Sequence, residues 1–520
     1  MTPGDRASGT RGRASGILLH PSSLPGPHGI GDLGATAVAF LDWLRDAGQG
    51  LWQVLPLGPT GYGDSPYACF SSFAGNPLLV SLDALATWEI VHPRELQDIP
   101  LFPAGRVDYG AVISWKIPLL HRAAARFLQK VPGDLRPRFD VFCDAEAWWL
   151  DDYCLFTAIK ARHPGAWNRD WPRELALREP GALARVRKEL AADAEEERAI
   201  QFFFFSQWDE VRAAAVKRGV RIIGDLPIFA APDSADVWTH RDLFLLDQQG
   251  RPTVVAGVPP DYFAATGQLW GNPLYDWEAM RRQGFRYWVD RIRRACRLHD
   301  LIRVDHFRGF DACWSVPASA PTAAAGSWVE VPGRALFDTL RQELGELPII
   351  AEDLGVITPA VEALRERFGF PGMRILQFAF DKGEAGSLDP GNRFLPHNHS
   401  FDSVVYTGTH DNDTTRGWFE KRTAEETGYL ERYAGRLDPE IHWRFIRMAM
   451  ASVCRLAVIP LQDVLGLGSE ARANTPGTSG TGNWSWRAGA EALDPAAAAR
   501  LRRLASIYGR IARKAVPPDK

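Results

Sequence analysis

The sequence predicts an α/β fold, a (β/α)8 TIM barrel, with large insertions around its C-terminal mouth and no C-terminal β-domain. Eight short runs rich in Val, Ile and Leu are continuous rather than alternating, which is typical of parallel strands buried on both faces. Segments with helical patterns lie between many of these runs, and repeated β-α alternation is the signature of this barrel. Three acidic motifs each follow one of the later runs, where a closed barrel would bring them together.

The predicted strands and helices follow one another along the chain. The eight strands are expected at 16–20, 50–57, 221–229, 301–306, 348–353, 373–380, 403–410 and 456–461. The clearest helices are expected at 35–47, 208–218, 285–299, 359–368 and 443–455. About 160 residues separate the second and third strands and about 70 separate the third and fourth, whereas a bare βα unit needs roughly 30 residues. Both gaps therefore hold insertions.

The domain organisation follows from these gaps. Residues 1–15 are expected to be a disordered tail, since they are rich in Gly, Arg and Ser and lack the apolar stretch of a signal peptide. Residues 16–520 are expected to form one catalytic barrel, with a largely helical insertion at about 60–215 and a lid loop with helices at about 230–298. The Gly-, Pro- and aromatic-rich stretch at 255–270 suits an ordered loop over the barrel mouth.

Composition argues against several classes of partner. The formal net charge of −3 and the interspersed Lys and Arg residues give no reason to expect a nucleic acid or a membrane surface. No run of 18 apolar residues occurs, so no membrane-spanning helix is expected. The six cysteines are far apart and lack the spacing of a zinc site, which predicts reduced thiols and a cytoplasmic location.

The first acidic motif, RVDHFRG at 303–309, overlaps the end of the fourth predicted strand, and its Asp305 follows the apolar run at 301–304. Alternation along a strand places Arg303 and Asp305 on the same side, so that Arg303 can hold Asp305 in its ionised form. An ionised carboxylate is what a glycosyl nucleophile requires. Taken alone, the motif is equally compatible with a structural ion pair at a strand end.

The second motif, AEDLG at 351–355, offers a proton donor. A glutamate that is partly desolvated beside other carboxylates has a raised pKa, so Glu352 can stay protonated and act as an acid. The alternative is that Glu352 and Asp353 cap the next helix by accepting backbone N–H groups.

The third motif, THDN at 409–412, places His410 and Asp411 where they can bind vicinal sugar hydroxyls and stabilise an oxocarbenium-like transition state. A metal site would need further His or Asp ligands, and no other spacing supports one. Asp225, at the end of the third predicted strand, is either a hydroxyl acceptor or a barrel-stabilising residue. Tyr67, in the turn-rich TGYGDSPY loop at 60–67, is either a stacking platform for sugars or a structural tyrosine.

Taken together, these segments resemble a 4-α-glucanotransferase of the amylomaltase (disproportionating enzyme) family, which is related to the α-amylases. The resemblance runs from about residue 16 to about residue 487 and rests on an ordered set of motifs. Besides those above, it includes HPSSLPGP at 20–27, the stretch at 255–275 and NTPGT at 474–478.

The resemblance implies roles for individual residues. Asp305 would be the nucleophile, Glu352 the general acid/base and Asp411 the transition-state stabiliser. The implied sugar-binding residues are Arg303, His306, His410, Tyr67, Ser65, Asp225, Gln268, Trp270, Asn272 and, in a second glucan site, Tyr62. Ala68 and Ala264 stand where the family usually has Gln and Ser, and these departures concern acceptor binding or product size rather than the chemistry.

The implied reaction is retaining transfer of an α-1,4-glucan segment to the 4-hydroxyl of an acceptor, through a covalent intermediate on Asp305. The expected partners are maltooligosaccharides, amylose or glycogen-derived glucans, with glucose as an acceptor, and no metal or organic cofactor is expected. The alternatives are an amylase-like hydrolase or debranching-type transferase, and a non-catalytic glycan-binding barrel. Hydrolysis creates new reducing ends, whereas transfer conserves their number.

Overall fold

The computed structural model describes residues 12–511, apart from residues 131, 261–265, 382–388, 438 and 479. Most of the predicted tail, residues 1–11, lies outside the described residues, and the first strand begins at Ala14, two residues before the predicted start. The strands are β1 (Ala14–Leu18), β2 (Leu51–Gln53), β3 (Arg221–Leu226), β4 (Val254–Val258), β5 (Gln268–Pro273), β6 (Leu301–Val304), β7 (Ala312–Pro317), β8 (Ser327–Glu330), β9 (Ile349–Ala351), β10 (Gly372–Ile375), β11 (Ser403–Tyr406), β12 (Leu456–Pro460) and β13 (Thr481–Trp484).

The α-helices cluster in the long gap between β2 and β3 and then alternate with the later strands. They are α1 (Ala35–Asp46), α2 (Leu82–Thr87), α3 (Tyr109–Gln129), α4 (Leu135–Arg162), α5 (Trp167–Asp170), α6 (Arg173–Ala176), α7 (Pro180–Glu189), α8 (Ala191–Lys217), α9 (Ala235–Thr239), α10 (Trp277–Arg282), α11 (Arg286–Leu298), α12 (Gly333–Leu344), α13 (Pro359–Arg367), α14 (Thr415–Glu420), α15 (Ala424–Ala434), α16 (Ile441–Ala451), α17 (Leu461–Val464) and α18 (Pro495–Ile507). Within the described part of the chain, no helix is both long enough and apolar enough to cross a membrane.

Eight strands form one parallel sheet in the order β10-β11-β12-β1-β2-β3-β6-β9. The two end strands meet where the Ala351 N–H donates a hydrogen bond of 2.9 Å to the Pro371 carbonyl, so the sheet is nearly closed. Each predicted strand overlaps one strand of this sheet, and the predicted barrel is confirmed. Among the residues described after β12, the chain forms only α17, β13 and α18 as regular elements of these two kinds.

The inside of the barrel is a packed core. Buried apolar side chains from all eight strands, among them Leu18, Ile223 and Met373, form one cluster there. Gly16 permits close approach of the first two strands, because a Cβ at this position would lie 2.2 Å from the Leu51 carbonyl oxygen. A filled interior leaves the mouth as the place for a binding site.

The insertion between β2 and β3 is built largely of helices. Its longest members are α4 and α8, and the four consecutive phenylalanines at 202–205 of α8 are all buried in the main core. Because consecutive residues point around the whole helix, α8 is packed against neighbours on several sides.

A second, antiparallel sheet stands beside the mouth, in the order β5-β4-β7-β8. The sequence predicted an ordered loop at 255–270, and the structure instead places β4 and the start of β5 in this stretch. The strands escaped prediction because Gly257 and Gly271 interrupt them and because β7, which pairs with β4, begins about 55 residues after β4 ends. Residues 261–265 of the predicted lid lie outside the described residues.

Candidate active site

The carboxyl ends of four barrel strands bring four acidic side chains to the mouth. Asp225 is the penultimate residue of β3, and Asp305 directly follows β6. Glu352 directly follows β9, and Asp411 lies in the loop after β11. Parallel strands end at the same edge of a barrel, so these side chains can act on one substrate.

Arg303, on β6, connects two of the acids. Its Nη1 donates hydrogen bonds of 2.8 Å to both carboxylate oxygens of Asp225, and its Nη2 lies 2.8 Å from Oδ1 of Asp305. Burial alone would lower the pKa of Arg303, but the charges of the two aspartates raise it well above its usual value. Asp225 is fully buried, whereas the side chain of Asp305 is 29% exposed. Arg303 therefore makes a structural ion pair with Asp225 and also orients the accessible Asp305.

Glu352 is held by backbone donors and by burial. Its Oε2 accepts a hydrogen bond of 2.7 Å from the His306 N–H, and its Oε1 accepts one of 2.7 Å from the Leu354 N–H. Burial, with a smaller contribution from the charge of Asp305, raises the pKa of Glu352 to about 7, although Arg303 and both N–H groups oppose this. Glu352 can therefore donate a proton near neutral pH.

The backbone at His306 adopts the left-handed conformation, with φ 50° and ψ 51°. This region is uncommon for a residue other than glycine, and such conformations concentrate at functional sites. Burial lowers the pKa of His306 to about 4, so its imidazole is neutral at pH 7. A neutral imidazole can both donate and accept a hydrogen bond at the mouth.

Asp353 does not cap the next helix, so the helix-cap interpretation of the Glu352–Asp353 pair is wrong. Helix α13 is capped by Thr358, whose hydroxyl accepts the Val361 N–H at 3.4 Å. Asp353 instead accepts the Met373 N–H of β10 at 2.7 Å and lies within 4 Å of three arginines. Its role is to tie β9 to β10 where the barrel closes.

Asp411 is fixed by groups that favour its ionised form. Its Oδ2 lies 3.3 Å from Nε2 of His410, and its Oδ1 accepts a hydrogen bond of 2.6 Å from Nδ2 of Asn474. Partial burial would raise the pKa of Asp411, but the charge and hydrogen bond of His410 and the bond from Asn474 hold it well below its usual value. Burial would in turn lower the pKa of His410, and Asp411 raises it above its ordinary value.

An aromatic wall links these groups. The Tyr67 hydroxyl donates a hydrogen bond of 2.8 Å to Oδ2 of Asp225, and its ring stacks on His410 at a centroid distance of 5.1 Å. Trp484 lies 5.7 Å from the Tyr67 ring and 5.8 Å from the His410 ring. Tyr67 therefore lies between the arginine–aspartate pair and the histidine–aspartate pair, and it is more than a turn residue.

The remaining sugar-binding candidates lie at different distances from this centre. The Trp270 ring lies 4.9 Å from the His306 ring, and its Nε1 donates to Oε1 of Gln268 at 3.2 Å. Asn272 is used structurally, since its Nδ2 donates to the Ala230 carbonyl at 2.9 Å.

The loop before Tyr67 holds the other two candidates. Ser65 accepts the Tyr67 N–H at 3.2 Å and so shapes the turn. Tyr62 is 82% exposed. Of the two departures, Ala68 pairs its backbone with Gly61 and Ser65, and Ala264 lies outside the described residues.

Sequence reasoning missed residues that the loop after β12 brings to the site. Besides Asn474, this loop supplies Arg472, whose Nη2 donates to the Asp411 carbonyl at 2.7 Å, and it leads into β13, whose last residue is Trp484. The NTPGT motif at 474–478 marked the loop, but no strand end pointed to a role for it. Among the described residues, no three His, Cys, Asp or Glu side chains are arranged to hold a metal ion.

Comparison with known proteins gives a consistent result. Residues 19–491 match the model of glycoside hydrolase family 77, described as 4-alpha-glucanotransferase. The chain is 53% identical over 508 residues to a 4-alpha-glucanotransferase from Thermus thermophilus, covering 96% of this chain and 99% of that protein. It is 49% identical over 502 residues to one from Synechocystis, covering 96% and 98% respectively. The solved structure of an amylomaltase from Streptococcus agalactiae in complex with acarbose superposes with a TM-score of 0.92 at 38% identity, covering 96% of this chain and 99% of that one.

Proposed function

Because the chain belongs to the 4-alpha-glucanotransferase family and is a transferase acting on α-1,4-glucans, we propose that Asp305, Glu352 and Asp411 carry out its reaction. The observation that carries this proposal is the environment of Glu352, a buried carboxyl with a pKa of about 7 beside the arginine-bound Asp305. One acid that keeps its proton and one that stays ionised are what a retaining mechanism needs.

In the first step, Asp305 attacks the anomeric carbon of the donor while the bond from that carbon to the glycosidic oxygen breaks. Glu352 transfers its proton to this oxygen, and the reducing-end part of the donor leaves with a free 4-hydroxyl. The non-reducing part remains bound to Asp305 as a β-glucosyl ester.

In the second step, Glu352, now a carboxylate, takes the proton from the 4-hydroxyl of an acceptor glucan. The acceptor oxygen attacks the anomeric carbon, the bond to Asp305 breaks, and Glu352 regains its proton. Two inversions give net retention, which requires the two carboxyl groups to lie about 5–5.5 Å apart.

Asp411 stabilises the positive charge that develops on the sugar ring during both steps, and His410 orients Asp411. Asp411 stays ionised because of His410 and Asn474, and a fixed negative charge favours an oxocarbenium-like transition state. The side chain is 43% exposed, so it remains accessible to sugar hydroxyls.

Transfer to sugar rather than to water requires a shielded intermediate. The small sheet beside the mouth, with Trp270 next to His306, supports a lid role for residues 255–270. A lid that closes over the bound donor would exclude water until an acceptor arrives. The relatives are named as transferases, which favours transfer over the hydrolase alternative.

Maltooligosaccharides, amylose and glycogen-derived glucans are the proposed donors, and glucose is a proposed acceptor. The Streptococcus agalactiae amylomaltase, whose structure is a complex with acarbose, supports oligosaccharide binding by this chain. A cytoplasmic location is supported by the six cysteines, all of which are unpaired thiols.

The proposal is tested by incubating the protein with maltotriose and following glucose, longer maltodextrins and total reducing ends together. We expect glucose and a ladder of longer chains at a constant number of reducing ends. Rising reducing ends without a ladder would identify a hydrolase instead. The Glu352→Gln variant should produce neither change.

A further inference from the structure

An exposed tryptophan lies on the outer strand of the small sheet. Trp328, on β8, is 41% exposed, and every residue of this strand is accessible. Its partner across the β7–β8 pair is Trp314, with ring centroids 5.2 Å apart. The guanidinium of Arg308 lies 3.8 Å from the centre of the Trp328 ring. Trp328 is therefore held in a fixed orientation at the surface rather than buried in the core.

Polar side chains adjoin this ring. Glu330 lies two residues beyond Trp328 and thus on the same face of the strand. Asp311 precedes β7 next to it, since Ala312 pairs with Glu330 and the Val331 N–H donates to the Asp311 carbonyl at 2.9 Å. Carboxylates accept hydrogen bonds from hydroxyls, and a guanidinium donates them. An aromatic surface bordered by such groups matches a pyranose, which has an apolar C–H face and a rim of hydroxyls.

The surface borders the catalytic mouth. Arg308 follows His306 by two residues, a span of about 7 Å at most, and its Nη1 donates to the Val356 carbonyl at 2.5 Å. Val356 follows Glu352 by four residues, a span of about 14 Å at most. The opposite edge of the same sheet, β5, carries Trp270 beside His306. The small sheet thus extends from the active site to the exposed tryptophan.

We propose that Trp328, Trp314, Arg308 and Glu330, here called the Trp328 platform, bind an α-1,4-glucan segment outside the catalytic cleft. The occupant is a remote part of a long donor or acceptor chain, because the substrate class is a polymer and the platform is continuous with the mouth. Binding there uses the family's substrate class but does not depend on the roles assigned to the three acids.

The test compares Trp328→Ala and Trp328→Phe with Trp148→Ala as a matched control. Trp148 is an exposed tryptophan on α4, 51% accessible, whose ring meets Phe73 edge-on. Two quantities are measured for each variant: retardation in gels containing amylose, which reports affinity, and kcat/KM with amylose and with maltotriose. Thermal unfolding of each variant shows whether it is folded.

For Trp328→Ala we expect the affinity for amylose to fall by about five- to tenfold, which corresponds to the loss of one aromatic contact. The ratio of kcat/KM for amylose to kcat/KM for maltotriose should fall by the same factor. Trp328→Phe keeps an aromatic ring, so its loss of amylose affinity should be less than half that of Trp328→Ala on a logarithmic scale. Trp148→Ala should bind amylose as tightly as the wild type.

Three outcomes would contradict the proposal of a Trp328 platform. The first is unchanged gel retardation in Trp328→Ala, and the second is an equal fall in its kcat/KM for amylose and for maltotriose. The third is a loss of amylose affinity in Trp148→Ala as large as that in Trp328→Ala. A change of oligomeric state in Trp328→Ala without loss of retardation would assign the surface to a second copy of the chain instead. Failure of the wild type to disproportionate maltotriose would contradict the proposed function, and gel retardation would still report on the platform.

Discussion

Glu352 and Asp411 are carboxylic acids at the mouth of the same barrel, yet they hold a proton with very different strength. Glu352 is 8% exposed, is contacted by neutral backbone N–H donors, and has a pKa of about 7. Asp411 is more exposed, is paired with His410 and Asn474, and has a pKa well below its usual value. The difference teaches that the partners, rather than the residue type or its place after a strand, divide the roles.

The largest expected effect is at Asp305, the carboxylate beside Arg303. Replacing Asp305 with asparagine removes the proposed nucleophile, and we expect disproportionation of maltotriose to fall by about 10⁴-fold or more. Single-turnover assays with concentrated enzyme measure the activity that remains in this variant. Asp353→Asn serves as the control, because Asp353 ties β9 to β10. This substitution should lower the midpoint of thermal unfolding but should reduce the rate constant far less than Asp305→Asn does. If Asp305→Asn keeps a substantial part of the activity, the nucleophile is another group.

The role of Glu352 sets the pH dependence of the wild type. Because the acid must be protonated, kcat/KM should fall as pH rises above about 7, up to tenfold per pH unit. Glu352→Gln should lose roughly 10²–10⁴-fold in kcat/KM on maltotriose and should no longer show this basic limb. Rates measured from pH 5 to pH 9 test both statements. A basic limb that persists in Glu352→Gln would assign that titration to a different group.

On the other side of the comparison, Asn474→Ala removes the hydrogen bond to Asp411. A hydrogen bond to a charged group contributes up to about 1.5–3 kcal/mol, and the 43% exposure of the Asp411 side chain reduces this, so we expect kcat to fall by about 3- to 30-fold. The pKa of Asp411 should rise, and the acid limb of the pH profile should move to higher pH.

The control for this loop is Asn483→Ala. Asn483 binds Thr475 and Thr478 of the same loop, and among the described residues it has no hydrogen bond to Asp411, so its loss should change kcat much less. Equal losses in the two variants would mean that loop order, rather than the bond to Asp411, determines activity.

The smallest expected effect is on stability. The pKa of Glu352 is raised in the folded state, so the folded protein binds more protons than the unfolded one between about pH 4.5 and 7, and stability falls as pH rises through this window. Glu352→Gln lacks this titration. Between pH 5 and pH 8 the wild type should therefore lose ~1–3 kcal/mol of unfolding free energy that the variant does not lose. In a chain of this size, the unfolding midpoint of the variant should rise relative to that of the wild type by ~1–3 °C over this range. A midpoint difference that is independent of pH would show that Glu352 does not titrate in this range.

Much of this arrangement was predictable because its signals are local. Each barrel strand is a short apolar run, and Asp305 and Glu352 directly follow such runs, so both the barrel and the positions of these acids could be inferred. The predicted pairing of Arg303 with Asp305 is present, and so is the predicted raised pKa of Glu352.

The remainder depends on contacts between distant parts of the chain. Asn474 reaches Asp411 across 63 positions, and Tyr67 reaches Asp225 across 158. No periodicity or spacing encodes such contacts. The small sheet was missed for a related reason, since β4 and β5 contain glycines and since β4 also pairs with β7, which follows only after the chain has passed through β6.

The central claim is that Asp305 forms the covalent intermediate and that Glu352 serves both steps. It is tested most directly by mixing Glu352→Gln with α-maltosyl fluoride and identifying the modified peptide by mass spectrometry. Fluoride leaves without protonation, so the first step should proceed, whereas the second step lacks its base and the adduct should accumulate. A maltosyl ester on the peptide containing Asp305, absent in Asp305→Asn, is the expected result. An adduct on another residue, or rapid turnover of the fluoride without any adduct, would contradict the account.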